Sequence, residues 1–250
     1  MDRFLSDTPS GLLPFIRKLE SIYPLTEEER LGIAGLTMNM RTLGAGQDIV
    51  REGDRPSQCC LLLAGFAQRF KDLGNGRRQI MSFHIPGDMP DVMSLHLAIM
   101  DHTMGTIAPT KVAFISHQTV RHLIRSHPRI GDALWRDTLI DAAVFREWMV
   151  GMGRRSAHAR IAHLFCELLR RMQDVGLAPD NSMQVPLTQS HVGDALGLST
   201  VHVNRVVQQL RSEGLITWSG RVLKVNDVEG LQRAGEFDPT YLHIDEGQAA

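Results

Sequence analysis

The period of apolar positions changes along the chain, and each change predicts a different kind of element. In LTEEERLGIAGL, Thr26 stands before three glutamates, which predicts an N-capped short helix. From about Leu43 to His117, glycines at 46, 53, 65, 76 and 87 separate short runs rich in β-branched and aromatic residues. QDIVREGD, CLLLAGFAQRFKD, RRQIMSFHIPGD and TMGTIAPTKVAFIS, with turn signals such as Asn75-Gly76, predict an antiparallel, hairpin-rich β domain. After Ser116 the spacing becomes helical. HQTVRHLIRSHP reads as one helix stopped by Pro128, and Arg129–Met152 as a second of roughly six turns. On the second, Trp135, Leu139, Ala142, Phe145, Met149 and Met152 recur at steps of three or four. So narrow a stripe fits a seam between identical helices of two chains, the other reading being a helix packed on its own domain. Gly151 and Gly153 are expected to interrupt this helix as a hinge.

The last third begins with SAHARIAHLFCELLRRMQ, an amphipathic helix expected to bury Ile161, Leu164, Phe165, Leu168 and Leu169. A loop from Gly176 to Pro186 follows, then two short helices around a glycine, and LITWSGRVLKVND, a hairpin turning at Ser219-Gly220. Within LTQSHVGDALGLSTVHVNRVVQQLRSEGLI, Thr188 caps the first short helix and Gly197 ends it with the left-handed residue that a sharp turn needs. Ser199 caps the second, which turns Val203, Val206, Val207 and Leu210 inward. Thr200, Val201, His202, Asn204, Arg205 and Gln208 are left on its outer side. This is a helix-turn-helix with a wing behind it, an arrangement that sets a helix into the DNA major groove with its early residues at base edges.

Composition describes an ordinary globular chain of one or two domains: 250 residues, 43% hydrophobic and 22% charged, which excludes disordered, collagen-like and disulfide-scaffold classes. The longest apolar run, about Cys59 to Ala67, falls well short of the ~18 residues of a membrane span. The N-terminal stretch lacks a signal-peptide pattern, so a cytoplasmic location and no membrane partner are expected. Cys59, Cys60 and Cys166 form no C-x-x-C spacing, which argues against zinc or a cysteine-held cluster. The adjacent pair reads as buried small hydrophobes, with a redox-sensing thiol as the alternative. Net charge is −1, which by itself points away from nucleic acid. Division by region reverses this: residues 1–150 hold 17 basic and 17 acidic side chains, residues 151–233 hold 10 against 7, and the tail 234–250 holds four acids and no Lys or Arg.

With these motifs in place the chain resembles the Crp/Fnr family of transcription regulators over about residues 24–233. The glycine-punctuated segment looks like that family's cyclic-nucleotide-binding-type β-roll, Arg129–Met152 like its dimerisation helix, and RSAHARIAHLF with LTQSHVGDALGLSTVHVNR like its winged helix-turn-helix. PGDM, Pro86 to Met89, matches the approach to the family's phosphate cassette. The resemblance implies an α+β chain. Its expected parts are an N-terminal segment (1–23), an antiparallel β-roll of double-stranded β-helix or jelly-roll type (24–117), a linker and long dimerisation helix (118–153), a winged helix-turn-helix (154–233) and an acidic tail (234–250). It also implies a homodimer on pseudo-palindromic double-stranded DNA, with RNA polymerase as a further partner, and no catalysis.

The departures narrow the expectation. Cyclic-AMP-binding members carry a glutamate and later an Arg-Ser or Arg-Thr pair in the cassette, where this chain has Val92 and His102-Thr103. Without that guanidinium the cyclic phosphate loses its bidentate clamp, so cyclic AMP is not expected to bind. No cysteine precedes Cys59, which excludes the N-terminal iron–sulfur cluster of oxygen-sensing members, and no cofactor or metal is expected. Val92, His102, Thr103 and Phe145 mark the candidate effector pocket; Val92 and Phe145 are expected to fill it, leaving a constitutive binder or one with a different effector. His84, His96, His102 and His117 keep open a haem or metal sensor, or a cupin-like metalloenzyme. In the reader, Arg205 is expected to read a guanine and Val201 a thymine methyl, with His202 and Asn204 adding base or phosphate contacts. Thr188, Gln189, Ser199 and Thr200 complete the interface, those at helix starts holding phosphates.

Overall fold

A computed structural model describes residues 11–244, and they divide into two compact units. Of the described residues, the first gathers 11–69, 83–141 and 243–244; the second gathers 70–82 with 142–242.

The first unit opens on two helices, α1 (Leu13–Ile22) and α2 (Glu27–Ala34). Thr26 caps α2 as expected, in a capping box with Glu29. Strands β1 (Asn39–Leu43), β7 (Thr110–Ser116) and β3 (Gln58–Ala64) form an antiparallel sheet in the order β1-β7-β3. Strands β2 (Asp48–Val50), β6 (Thr103–Thr106), β4 (Ala67–Asp72) and β5 (Arg78–His84) form a four-stranded one in the order β2-β6-β4-β5. The distal part of the β4–β5 hairpin, residues 70–82, groups with the second unit.

The run CCLLL is apolar at every position because β3 is covered on both faces. Cys60 and Leu62 pack with Ala67 and Val112, whereas Cys59, Leu61 and Leu63 meet α1, α2 and α3 (His117–Ser126) in the larger core. All three cysteines are buried, and burial pushes the thiols of Cys59 and Cys166 up to about 12, far from the low-pKa thiolate a redox sensor needs.

The long helix α4 spans Pro128–Arg154, starting in the first unit and continuing into the second. Contrary to expectation, Gly151 and Gly153 do not interrupt it. Glycine only weakens a helix by about 1 kcal/mol, whereas Ser156 supplies a new N-cap, its side chain accepting from Ala159 N–H, so the chain breaks there instead.

The second unit contains α5 (Ala157–Asp174), α6 (Gln189–Leu196), α7 (Thr200–Ser212) and α8 (Val228–Gly235). Strand β10 (Val222–Val225) lies between β9 (Ile216–Ser219) and β8 (Ser182–Gln184). Strand β8 corrects the expectation of a plain loop over 176–186; with three residues it is too short to show a period. Residues 236–242, after α8, also pack onto the reader, and the end of the expected acidic tail, 245–250, lies outside the described residues. His163 of α5 bonds Gly235 C=O at 3.0 Å, and Tyr241 Oη donates to the fully buried Glu167 at 2.9 Å. Trp148 Nε1 of α4 donates to the same carboxylate at 3.0 Å.

Candidate nucleic-acid interface

The helix-turn-helix is built from two local caps and a tight turn. Thr188 accepts from His191 N–H at 3.2 Å, and His191 Nδ1 accepts from Thr188 N–H at 3.1 Å, a capping box closed by histidine in place of the usual Glu or Gln. Because Nδ1 accepts, the neutral ring carries its proton on Nε2, and burial helps hold the imidazole below its usual range. Gly197 takes the left-handed conformation at φ 65° and its N–H reaches Gly193 C=O, as does Leu198 N–H at 3.0 Å. Ser199 then caps α7 by accepting from His202 N–H at 3.2 Å.

Val203, Val206, Val207 and Leu210 are buried, as their spacing predicts. Thr200, Val201, Asn204 and Arg205 are exposed on the opposite side, Val201 to 81%, while His202 is half-buried. Among the described residues, nothing covers this exposed valine at the start of a capped helix. Gln189 and Asn204 are tied together, Asn204 Nδ2 donating to Gln189 Oε1 at 3.3 Å, so these two predicted contacts act as a pair across the two helices. Arg221 and Lys224 stand exposed on the wing, and sequence reasoning passed them over because a lone cation on a hairpin has no distinguishing pattern.

Of the four expected pocket residues, Val92, His102 and Thr103 lie in the first unit and Phe145 in the second. Val92 packs against the helix-covered core of the first unit. His102 is buried, its Nδ1 lying 2.6 Å from Asp101 Oδ1, and Thr103 Oγ1 accepts from Glu52 N–H at 3.1 Å. Phe145 is half-buried on α4.

The first unit also holds an ionic cluster. Lys18 of α1 reaches Asp88 of the PGD turn at 2.7 Å and Asp137 of α4 at 2.9 Å. Burial opposes its charge, but the two carboxylates outweigh burial and hold it above the usual lysine range. Arg69 is buried. Its terminal nitrogens donate to Asp141 at 2.7 Å and to Pro90 C=O at 2.8 Å. The i,i+4 spacing of Asp137 and Asp141 was the available signal for this cluster. Of the candidate ligating histidines, His84 faces Asp88 at 3.4 Å and His117 Nε2 lies 2.9 Å from Ser94 Oγ. Among the described residues, no group of three or more His, Cys, Asp or Glu is placed to hold a metal ion, and no helix is long and apolar enough to cross a membrane.

On α4, Trp135, Leu139, Met149 and Met152 are exposed, with Ala142 and Phe145 half-buried, whereas Ala133, Leu134, Ala143, Val144 and Trp148 are buried.

Residues 40–127 match the model of the cyclic nucleotide-binding domain, and residues 159–234 that of the Crp-like helix-turn-helix domain. The transcriptional activator protein FnrL of Cereibacter sphaeroides is 27% identical over 201 residues, covering 78% of this chain and 80% of that protein. The nitrogen fixation regulation protein FixK of Rhizobium meliloti is 27% identical over 211 residues, covering 82% of this chain and 92% of that protein. Among solved structures, FixK2 from Bradyrhizobium japonicum superposes with a TM-score of 0.72 at 24% identity, over 80% of this chain and 98% of that one.

Proposed function

Because the chain belongs to the Crp/Fnr family of DNA-binding transcription regulators, we propose that it acts as a homodimer in the cytoplasm on a pseudo-palindromic site. Half-site centres then lie roughly 34–36 Å apart, one helical turn of DNA. The observation that carries this reading is the pair of capped helices that leaves Thr200, Val201, Asn204 and Arg205 exposed at the start of α7.

In this reading Arg205 donates to guanine O6 and N7, and Val201 meets a thymine methyl. The linked Gln189 and Asn204, with His202, read adjacent base edges or phosphates. Thr188, Ser199 and Thr200 sit at helix starts, where hydroxyls and free backbone N–H groups hold the phosphates that set register. The stripe of α4 joins the two protomers, and RNA polymerase is the partner a bound activator presents itself to.

Selection of bound duplexes from random sequence tests the assignment. An inverted repeat is expected, and Arg205→Ala should lose ~1–3 kcal/mol on it while relaxing one base position per half-site. Recovery of no preferred sequence, or an unaltered preference in the variant, rejects the roles given to α7 and Arg205 respectively.

A further inference from the structure

We propose that the cavity where the end of α4 meets α5 and α6 binds one monovalent anion of halide size, such as chloride, between the guanidinium groups of Arg155 and Arg160. Every residue lining it belongs to the second unit.

The cavity measures about 20 Å³, room for a single water-sized body. Trp148, Leu164 and Leu196 give it apolar walls, and Gly151 contributes no side chain to it. The two arginines converge on that glycine: a Cβ built at position 151 would lie 3.7 Å from Arg155 Nη1 and 3.8 Å from Arg160 Cγ. Helix α4 runs through Gly151 unbroken, so the glycine serves here not as a hinge but as the space between two cations.

Both arginines bring donors that the chain does not meet. The Arg155 side chain is nine-tenths buried, and its Nη2 donates to Glu147 Oε1 at 2.5 Å. Its Nε and Nη1 are buried with no hydrogen-bond partner among the described residues; Glu236 Oε2 stands 3.7 Å from Nε, too far to accept. Arg160 Nη1 donates to Leu196 C=O, a neutral acceptor, at 2.8 Å, and its buried Nε is likewise unmet. Three buried N–H groups thus belong to two cations lining one cavity, and buried donors in native proteins are as a rule satisfied.

Charge decides between a water and an ion. Glu147 balances Arg155, whereas the Glu236 side chain is 69% exposed and its charge is largely screened by solvent. Among the described residues Arg160 has no ion-pair partner. Burial, joined by the Arg155 charge, holds the His163 imidazole below its usual range, so at neutral pH this ring adds no charge to the count. One positive charge is left over. A water accepts from two of the three donors and leaves that charge unbalanced, whereas a halide ion accepts from all three and balances it. The size of the cavity excludes phosphates, carboxylic acids and nucleotides. Because Arg160 also holds the last turn of α6, an ion shared with Arg155 ties the end of α4 to the helix-turn-helix.

The test uses the intact protein at constant ionic strength, sodium chloride replacing sodium gluconate, whose anion is too large for the cavity. Wild type is compared with Arg160→Gln, which keeps a donor for Leu196 C=O and removes the charge, so that general effects of the salt exchange cancel. From about 5 to about 150 mM chloride the thermal midpoint of wild type should rise relative to the variant by about 2–5 °C and then level off, as for an ion bound by the folded chain alone. Bromide should act as chloride does, and wild-type crystals grown in bromide should show an anomalous peak between Arg155 and Arg160. Parallel chloride curves for the two proteins overturn the proposal. So do bromide-grown wild-type crystals without a peak at this cavity, a result that depends on no variant and marks the occupant as water.

Discussion

A single methyl group at position 193 has nowhere to go. A Cβ built there lies 2.6 Å from Leu198 C=O, which belongs to the backbone of the helix-to-helix turn and cannot swing aside. Helix propensity alone favours Gly193→Ala by about 1 kcal/mol; the clash reverses the sign, and we expect a net loss of about 1–3 kcal/mol in reader stability with a parallel loss of DNA affinity. A thermal melt by circular dichroism that shows the alanine variant equal to or above wild type would mean that the turn relaxes freely. Thr188, Gly197 and Ser199 were legible in the sequence because a cap or a left-handed residue acts within three or four positions of itself. Gly193 and His191 were not. The first matters through a contact across the turn, and the second closes a capping box with a residue type that carries no such signature.

Helix α4 shows what a pattern reveals and hides at the level of one element. Its stripe of Trp135, Leu139, Ala142, Phe145, Met149 and Met152 was legible, and in the single chain Trp135 and Met149 remain 63% and 67% exposed. The opposite side, through Ile130, Ala133, Leu134, Val144 and Trp148, is the one that packs within the chain. It escaped notice because Asp137 and Asp141 interrupt its apolar run, each neutralised by a cation from an element distant in sequence. Leu139 lies on the uncovered stripe, so Leu139→Glu should change the intrinsic stability of the single chain by no more than about 0.5 kcal/mol. The same change places two carboxylates at a self-complementary seam and should shift the dimer toward monomer. Light scattering after size exclusion measures this directly, and a variant that remains dimeric at micromolar concentration would move the seam elsewhere. With so few net positive charges in the reader, loss of the dimer should also remove most DNA affinity, since two half-sites bound together gain by effective concentration.

For the molecule as a whole, total charge misled and regional charge did not, but neither disclosed the buried titrating groups that set its response to acid. Two of these oppose one another in the first unit. His84 is buried, and burial, aided by the Arg69 charge, lowers its pKa to about 4 against Asp88 and Asp141. The unfolded chain takes up this proton near pH 6.5 and the folded chain does not, so stability falls as pH drops through that interval, by up to about 3 kcal/mol. Asp91 behaves in the opposite sense. Burial raises its pKa to about 7, although Cys60 N–H donates to both its oxygens at 2.8 and 3.0 Å. Here the folded chain holds a proton that the unfolded chain releases above about pH 4, so acidification stabilises. Between about pH 4 and 6.5 the two slopes have opposite sign and similar size, and their joint contribution is nearly flat. Each variant should expose the other group. Relative to wild type, His84→Gln should gain stability as pH is lowered across this window, and Asp91→Asn should lose it, each by up to about 1.4 kcal/mol per pH unit. Hydrogen exchange at the β3 amides, corrected for intrinsic rates, reads the first unit separately from the second. If both variants follow the wild-type pH profile, burial does not set these two pKa values and the opposition does not exist; if only one departs, only that group titrates as assigned.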